Sequence, residues 1–336
     1  MANRSWRTLG LIVLLLGVVT AIIALPRVKT VWREHQRGIA FPVAQGDSFP
    51  VTVVDTFGHR VTVNTQPKRI VSLAPGVTEI LYAIGANGAL IADTSYCDFP
   101  PAAAALPKIG GYLDPNVEKV LAMKPDLIVG ERGNRKEVLL HLHGLGRTIV
   151  VVDPESLDGV TQSILMIGRV TGKAANARKL ADGFAARQRR VVDRLAGVPE
   201  SVRPRTLFLF SLGEGIFTVG PGSHIDELIR LAGGKNIAAL TGKPWPQLSM
   251  EAVMAADPQV ILLLRGQMTN HPITTAQALA RFRADTHWRS ISAVREGKIV
   301  LLDDDPSTIP GPRLIDGLEE MASALHPDLF PREARR

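Results

Sequence analysis

The chain has 336 residues, of which 46% are hydrophobic, and a formal net charge of +7. This length suits two domains of ordinary size, each with its own core. The basic residues are scattered, and the densest run, residues 187–194, has the pattern of a solvated helix face, so no nucleic-acid partner is expected. The single cysteine, Cys97, excludes an internal disulfide and a Cys-x-x-Cys metal or redox site.

The N-terminal segment predicts a location outside the cytoplasm. Arg4 and Arg7 precede an apolar run, residues 9–25, which has the length of a long signal sequence or a short membrane span. No cysteine follows this run to accept a lipid, and the missing Ala-x-Ala pattern favours an uncleaved anchor over a removed signal. We expect residues 1–47 to form an anchor and linker, with the rest in the periplasm or on the outer face of the cytoplasmic membrane.

The next segment predicts a hairpin and then a parallel sheet, together forming an N-terminal lobe over residues 48–155. Two β-branched runs flank a Phe-Gly-His turn within residues 51–64, which is a hairpin pattern. From Arg69 onward, short apolar strands alternate with helical segments. This alternation is typical of a parallel sheet that helices cover on both faces.

A long helical segment follows, over residues 156–197. Its apolar residues recur at helical spacing, and Pro199 marks its end. Gly172 leaves two alternatives, one long helix or two in tandem with a break near Thr171. Strands and helices then alternate again over residues 198–336. The predicted fold is α/β, with two Rossmann-like lobes joined by a long rigid helix.

A weak internal repeat relates the two lobes, because residues 116–129 and 249–262 align without gaps. Each copy has a capping residue, a glutamate two positions later, a helical apolar face, a proline and an apolar strand. The glutamates are Glu118 and Glu251. One explanation is local, since a cap and an acidic residue both stabilise a helix N-terminus. The other is that two carboxylates at equivalent places suit a partner that is itself two-fold.

Four segments, residues 75–85, 95–103, 116–134 and 244–253, resemble the periplasmic binding proteins of importers for cobalamin, iron-siderophores and haem. The resemblance covers about residues 66–328. It is strongest to the cobalamin binders, because the motifs SYCDFPP and PWPQ occur together. It implies an extracytoplasmic substrate-binding protein, without a cofactor, that captures a corrinoid such as cobalamin or cobinamide. The implied partner is an ABC importer, with a permease dimer and ATPase subunits.

The resemblance also implies roles for individual residues. It assigns Glu118 and Glu251 to salt bridges with arginines on the two copies of the permease. The positions that it places against the ligand are Tyr96, Tyr112, Trp245 and Asp305. Phe217 is a further candidate for the cleft, although its sequence context favours packing in the core.

Structural alternatives exist for the aromatic candidates. Trp245, between two prolines, could pin a loop, and the two tyrosines could be ordinary half-buried residues at strand ends. The chain also departs from the resembled pattern at two places. Glu131 stands where the best-known cobalamin binder has a tryptophan, and Ile309 replaces an arginine near the C-terminal side of the cleft. These departures bear on the ligand more than on the role.

The chain is not expected to be an enzyme or to hold a metal. G-x-S-x-G, the phosphate-binding loop and H-E-x-x-H are absent from the sequence. His141 and His143 are two positions apart and would face apart on a helix. The acidic run 303–305 could bind a cation, although a solvated strand end explains it equally, and Ser223 with Asp226 reads as a helix cap.

Three rival functions remain open at this point. Within the same class of importer, the ligand could be haem, with Tyr96, Tyr112 or His224 as the iron ligand, or a ferric siderophore. The most distant alternative is an enzyme with its active site in the cleft.

Overall fold

The computed structural model describes residues 48–213, 215–266 and 272–331. The predicted anchor and linker, residues 1–47, lie outside these ranges. The first element is a hairpin of β1 (Val51–Val54) and β2 (Arg60–Val63), whose antiparallel register pairs Val51 with Val63. The predicted hairpin is therefore confirmed. Alternate residues of a strand face opposite sides, and here the valines at 53, 61 and 63 are the buried ones.

The N-terminal lobe contains a parallel sheet with the strand order β4-β3-β5-β6. The strands are β3 (Ile70–Ser72), β4 (Leu90–Ala92), β5 (Leu127–Glu131) and β6 (Ile149–Val152). The helices are α1 (Pro75–Ala83), α2 (Pro101–Ala104), α3 (Val117–Ala122) and α4 (Lys136–Gly144). Every residue of the two strands β5 and β6 is buried, as expected for a sheet with both faces covered.

Residues 156–197 contain two helices, so the tandem alternative is the correct one. Helix α5 (Leu157–Thr171) ends at Gly172, whose φ of 68° lies in the left-handed region that glycine adopts readily. After Lys173 the chain enters the longer helix α6 (Ala174–Leu195), which packs against α5. At 1.5 Å per residue, the 22 residues of α6 extend about 33 Å.

The C-terminal lobe repeats the architecture, with a parallel sheet in the order β12-β11-β7-β9. The strands are β7 (Arg205–Leu209), β9 (Lys235–Asn236), β11 (Val260–Leu264) and β12 (Ile299–Leu302), and β8 (Ile216–Phe217) pairs separately with β10 (Gln247–Leu248). The helices are α7 (His224–Leu231), α8 (Met250–Ala256), α9 (Thr275–Ala284), α10 (Ser292–Arg295), α11 (Asp304–Thr308) and α12 (Leu314–Leu325).

Helix α6 contacts both lobes. Near its N-terminus, Asn176 donates a hydrogen bond to the carbonyl of Ile84 in the N-terminal lobe, at 2.9 Å. Further along, Arg187 forms ion pairs with Asp316 and Glu319 of α12 in the C-terminal lobe. A continuous helix between two lobes limits large hinge motion, because bending it would break its hydrogen bonds. The lobe boundaries themselves, at residues 155/156 and 197/198, stay a prediction.

Candidate ligand-binding cleft

The N-terminal lobe carries exposed aromatic residues beside a buried carboxyl group. Tyr96 is 61% exposed and Phe99 is 41% exposed. Tyr112 is half-buried, and its hydroxyl donates a 2.6 Å hydrogen bond to Oε1 of Glu131 at the end of β5. Burial, opposed by this hydrogen bond, raises the pKa of Glu131 to about 7. The position that departs from the cobalamin pattern is thus a buried acid joined to a predicted ligand residue.

The C-terminal lobe also presents exposed aromatic side chains. Trp245 and Phe217 are each 54% exposed, so the core-packing alternative for Phe217 is wrong. The Trp245 ring lies 6.1 Å from the ring of Phe210 and 6.3 Å from that of His224. His224 is buried, and its Nε2 donates to the carbonyl of Thr308 at 3.1 Å. Trp245 is thus in contact with two aromatic rings of its own lobe while about half of its surface stays exposed to solvent.

An arginine joins the two lobes on one side of this surface. Arg313 lies 2.6 Å from Oε1 of Glu79 in α1 and 3.1 Å from Oδ2 of Asp305. Its guanidinium also stacks on the ring of Phe99, 3.8 Å from the ring centroid. The predicted ligand residue Asp305 is therefore already engaged by a cation. Gly76 of α1 approaches the other lobe so closely that an added Cβ would stand 2.5 Å from the carbonyl oxygen of Pro310.

A further contact joins the C-terminal lobe to the start of α5. The carboxylate of Glu227 in α7 accepts a hydrogen bond from the amide of Leu157, at 2.9 Å, and so caps the first helix of the joining segment. A pocket of about 480 Å³ opens beside this contact. Residues from the ends of both β6 and α7 line it, including Asp153, Glu155 and Asp226.

The two repeat glutamates lie on short helices that are capped alike. The side chain of Asn116 accepts from the amide of Lys119, and that of Ser249 accepts from the amide of Ala252. Glu118 and Glu251 are the second residues of α3 and α8, and both are exposed. Hydrogen bonds from its own amide and from Ser249 lower the pKa of Glu251, which keeps it ionised. The helix-cap explanation and the docking explanation are both compatible with this geometry.

The described part of the chain contains no group of three or more His, Cys, Asp and Glu side chains that could hold a metal ion. The acidic run at 303–305 is used internally. Asp303 pairs with Arg265 at 3.2 Å, Asp304 accepts from the amide of Gly266 at 3.1 Å, and Asp305 pairs with Arg313. His143 stacks on the ring of His59, 4.5 Å between centroids, instead of converging on a cation with His141. Within the ranges described, no helix is both long and apolar enough for a membrane span.

Several residues of this region were not singled out from the sequence. Phe99 lies inside the SYCDFPP motif, so the motif could have marked it as a further ligand candidate. Glu79 and Arg313 are 234 positions apart, and no local pattern connects them. The ligand and docking roles of the predicted residues stay predictions.

Two α/β lobes, a long helix that touches both, and solvent-exposed aromatic residues on each lobe define the class of two-lobed solute-binding proteins. A family model described as periplasmic binding protein matches residues 70–306, and the chain belongs to this family. The family consists of periplasmic substrate-binding proteins, which are not enzymes.

Individual relatives agree with the family match. The chain is 30% identical over 306 residues to an uncharacterised ABC transporter substrate-binding lipoprotein, YvrC, of Bacillus subtilis, covering 87% of this chain and 93% of the relative. It is 32% identical over 260 residues to a vitamin B12-binding protein of Vibrio cholerae, covering 77% and 89% of the two chains.

Solved structures show the same fold. The crystal structure of the periplasmic vitamin B12 binding protein BtuF of Vibrio cholerae superposes with a TM-score of 0.67 at 30% identity, covering 79% of this chain and 99% of that chain. The apo form of the periplasmic heme-binding protein RhuT from Roseiflexus sp. RS-1 also gives a TM-score of 0.67, at 27% identity, covering 78% and 99%. Both the corrinoid and the haem alternatives thus have structural relatives.

Proposed function

We propose that this protein captures a corrinoid between its two lobes and delivers it to an ABC importer. The observation that carries the proposal is the exposure of aromatic side chains on both lobes, Tyr96 with Phe99 on one and Trp245 with Phe217 on the other, which we call the aromatic walls. A corrin is a flat, mostly apolar macrocycle fringed with amides, and aromatic faces with a few polar groups suit such a ligand. The relative named as a vitamin B12-binding protein supports this choice.

The chemistry of Tyr112 and His224 disfavours these two residues as ligands for haem iron. Burial, together with the neighbouring Glu131 carboxylate, raises the pKa of Tyr112 well above its ordinary value, which keeps the phenol protonated and a poor ligand for ferric iron. His224 is buried, with its Nε2 committed to the carbonyl of Thr308. Of the three side chains considered as iron ligands, only Tyr96 is exposed without such a commitment.

Calorimetric titration with cyanocobalamin, cobinamide, haemin and a ferric siderophore tests the ligand. We expect tight binding of a corrinoid and at least tenfold weaker binding by Trp245→Ala, a loss of about 1.4 kcal/mol. Val202→Ala is the control, because Val202 is also exposed, at 63%, but lies just before β7, at the end of the sheet remote from the aromatic walls. Preferential binding of haemin or of the siderophore would keep the importer role and overturn the ligand.

Delivery is proposed to use Glu118 and Glu251, each engaging a basic residue on one copy of a permease dimer, with ATP hydrolysis on separate subunits driving release. Both carboxylates are exposed and project from equivalent helices of the two lobes. The double variant Glu118→Ala plus Glu251→Ala should retain ligand affinity and lose cobalamin uptake in cells. Its control is Glu137→Ala, which removes an exposed carboxylate from the same second position of α4. Normal uptake by the double variant would refute the docking assignment.

A further inference from the structure

The helices that carry Glu118 and Glu251 are each held at their opposite end by an arginine. In the N-terminal lobe, Arg69 immediately precedes β3 and reaches the end of α3. Its Nη2 donates to the carbonyl of Met123 at 2.6 Å, and its Nε lies 3.2 Å from the carbonyls of both Met123 and Lys124. The carbonyls of the two residues that follow α3, which have no partner within the helix, therefore receive charge-assisted hydrogen bonds.

The C-terminal lobe contains the same arrangement. Arg205, the first residue of β7, reaches the end of α8. Its Nε donates to the carbonyls of Ala256 and Asp257, at 2.8 and 3.0 Å, and its Nη2 donates to that of Asp257 at 2.8 Å. The accepting carbonyls occupy equivalent positions of the repeat, because 123 − 118 and 256 − 251 both equal 5.

Backbone conformation marks the same two positions. Lys124 has φ of 47° and Asp257 has φ of 41°, and these are the non-glycine residues with positive φ in the described ranges. A side chain in the left-handed region is strained, and such strain persists only where the surroundings hold it. In both lobes, the arginine binds the carbonyl of the strained residue. Both copies of the repeat therefore contain a strained residue after the helix and an arginine that binds its carbonyl.

Each arginine is itself anchored to the sheet. The amide of Arg69 donates to Asp126 at 2.9 Å, and that of Arg205 donates to Gln259 at 3.1 Å. Helices as short as α3 and α8, with 6 and 7 residues, are marginal in isolation. A cation at the C-terminus of a helix interacts favourably with the helix dipole, and here it also connects the helix to the adjacent strand. The position of each exposed glutamate therefore follows from a contact at the far end of its helix.

We propose that Arg69 and Arg205 are a matched pair of positioning residues that fix the placement of Glu118 and Glu251 for a two-fold partner. This inference rests on the proposed docking function. Two carboxylates that must engage two sites at once bind well only if their separation is set before contact. Loss of either arginine loosens one helix and leaves the other lobe and the aromatic walls in place.

Hydrogen exchange of the full-length protein, followed by mass spectrometry, tests the positioning step. In Arg69→Met we expect at least tenfold faster exchange in residues 117–123 and unchanged exchange in 250–256, and in Arg205→Met the reverse. Arg69→Lys and Arg205→Lys should recover part of the protection, because lysine keeps the charge without the planar fork. Arg194→Met is the control, since Arg194 also donates to a backbone carbonyl, that of Leu329 at 3.3 Å, away from both helices.

Uptake and affinity measurements complete the test. Each methionine variant should take up cyanocobalamin at least tenfold more slowly in cells and bind it with an affinity within twofold of the wild type, and each lysine variant should regain part of the uptake. Unchanged hydrogen exchange in the arginine variants overturns the positioning role and leaves docking intact. The same conclusion follows if the arginine variants show normal uptake while Glu118→Ala plus Glu251→Ala abolishes it. Normal uptake by the Glu118→Ala plus Glu251→Ala variant would refute the docking role, and the positioning role that depends on it.

Discussion

Protonation of Glu131 should make the stability of the protein depend on pH in a defined way. Glu131 is 3% exposed, and burial raises its pKa from 4.5 to about 7 against the opposing hydrogen bond from Tyr112. The folded state therefore binds this proton more tightly than the unfolded state. The resulting stabilisation is fully present below pH 4.5 and is lost as the pH rises through about 7. Proton linkage gives a loss of about 2.5 kcal/mol between pH 5 and pH 8.

The variant Glu131→Gln isolates this effect, because glutamine keeps the shape and the acceptor for the Tyr112 hydroxyl without the charge. Urea unfolding of both proteins at several pH values, followed by tryptophan fluorescence, gives the free energy of unfolding. The difference between variant and wild type should grow by about 2.5 kcal/mol from pH 5 to pH 8. Other titrating groups, such as Asp93 with its pKa raised to about 6 by burial, are common to both proteins and cancel.

A second substitution tests whether the hydrogen bond from Tyr112 lowers the pKa of Glu131. Tyr112→Phe removes the hydrogen bond that stabilises the carboxylate, so the pKa of Glu131 should rise further and the loss of stability should move to higher pH. Parallel pH profiles for wild type and Glu131→Gln would refute the reasoning, because they would mean that the carboxyl is hydrated in the folded protein.

Two further predictions concern the contact between the lobes and the support of Trp245. Arg313→Met should lower the free energy of unfolding in urea by about 3 kcal/mol, because it leaves the buried carboxylate of Glu79 without its cation. Arg187→Met should lower it by less than about 1 kcal/mol, because its partners Asp316 and Glu319 are 44% and 39% exposed. Equal losses for the two variants would contradict the role of burial. Burial lowers the pKa of His224 to about 4, so its neutral ring stabilises the fold above pH 6.5 and this contribution disappears as the pH falls through about 4. His224→Gln should therefore reduce the loss of stability between pH 7 and pH 4 by about 3 kcal/mol, and an unaltered acid profile would show that the ring is accessible to water.

Local patterns determined much of the architecture. The spacing of apolar residues predicted the hairpin at 51–64 and the alternation of strands and helices in both lobes, and each was confirmed. The proline-free stretch before Pro199 predicted the joining segment, and Gly172 indicated where it breaks. These predictions succeed because the period of a strand or a helix, and the conformational freedom of glycine, are properties of a few neighbouring residues.

The candidate site was predicted less completely. The repeat singled out Glu118 and Glu251 as docking candidates, and the motifs singled out Tyr96 and Trp245 as ligand candidates, because those signals are short segments of sequence; their roles stay predictions. The exposure of Phe217 was not determined by its neighbours, since a two-residue strand such as β8 carries no readable period. Its accessibility depends on what the rest of the lobe leaves uncovered.

Only the tertiary structure decided the contacts between distant parts of the chain. Arg313 meets Glu79 across 234 positions, and Arg69 meets Met123 across 54. The same holds for Arg205, which reaches Ala256 across 51 positions. An arginine in a sequence carries no mark of the carbonyl or carboxylate that it will bind. The partner is chosen when parallel strands set neighbouring helix ends beside one another, and when the long helix α6 brings the two lobes together.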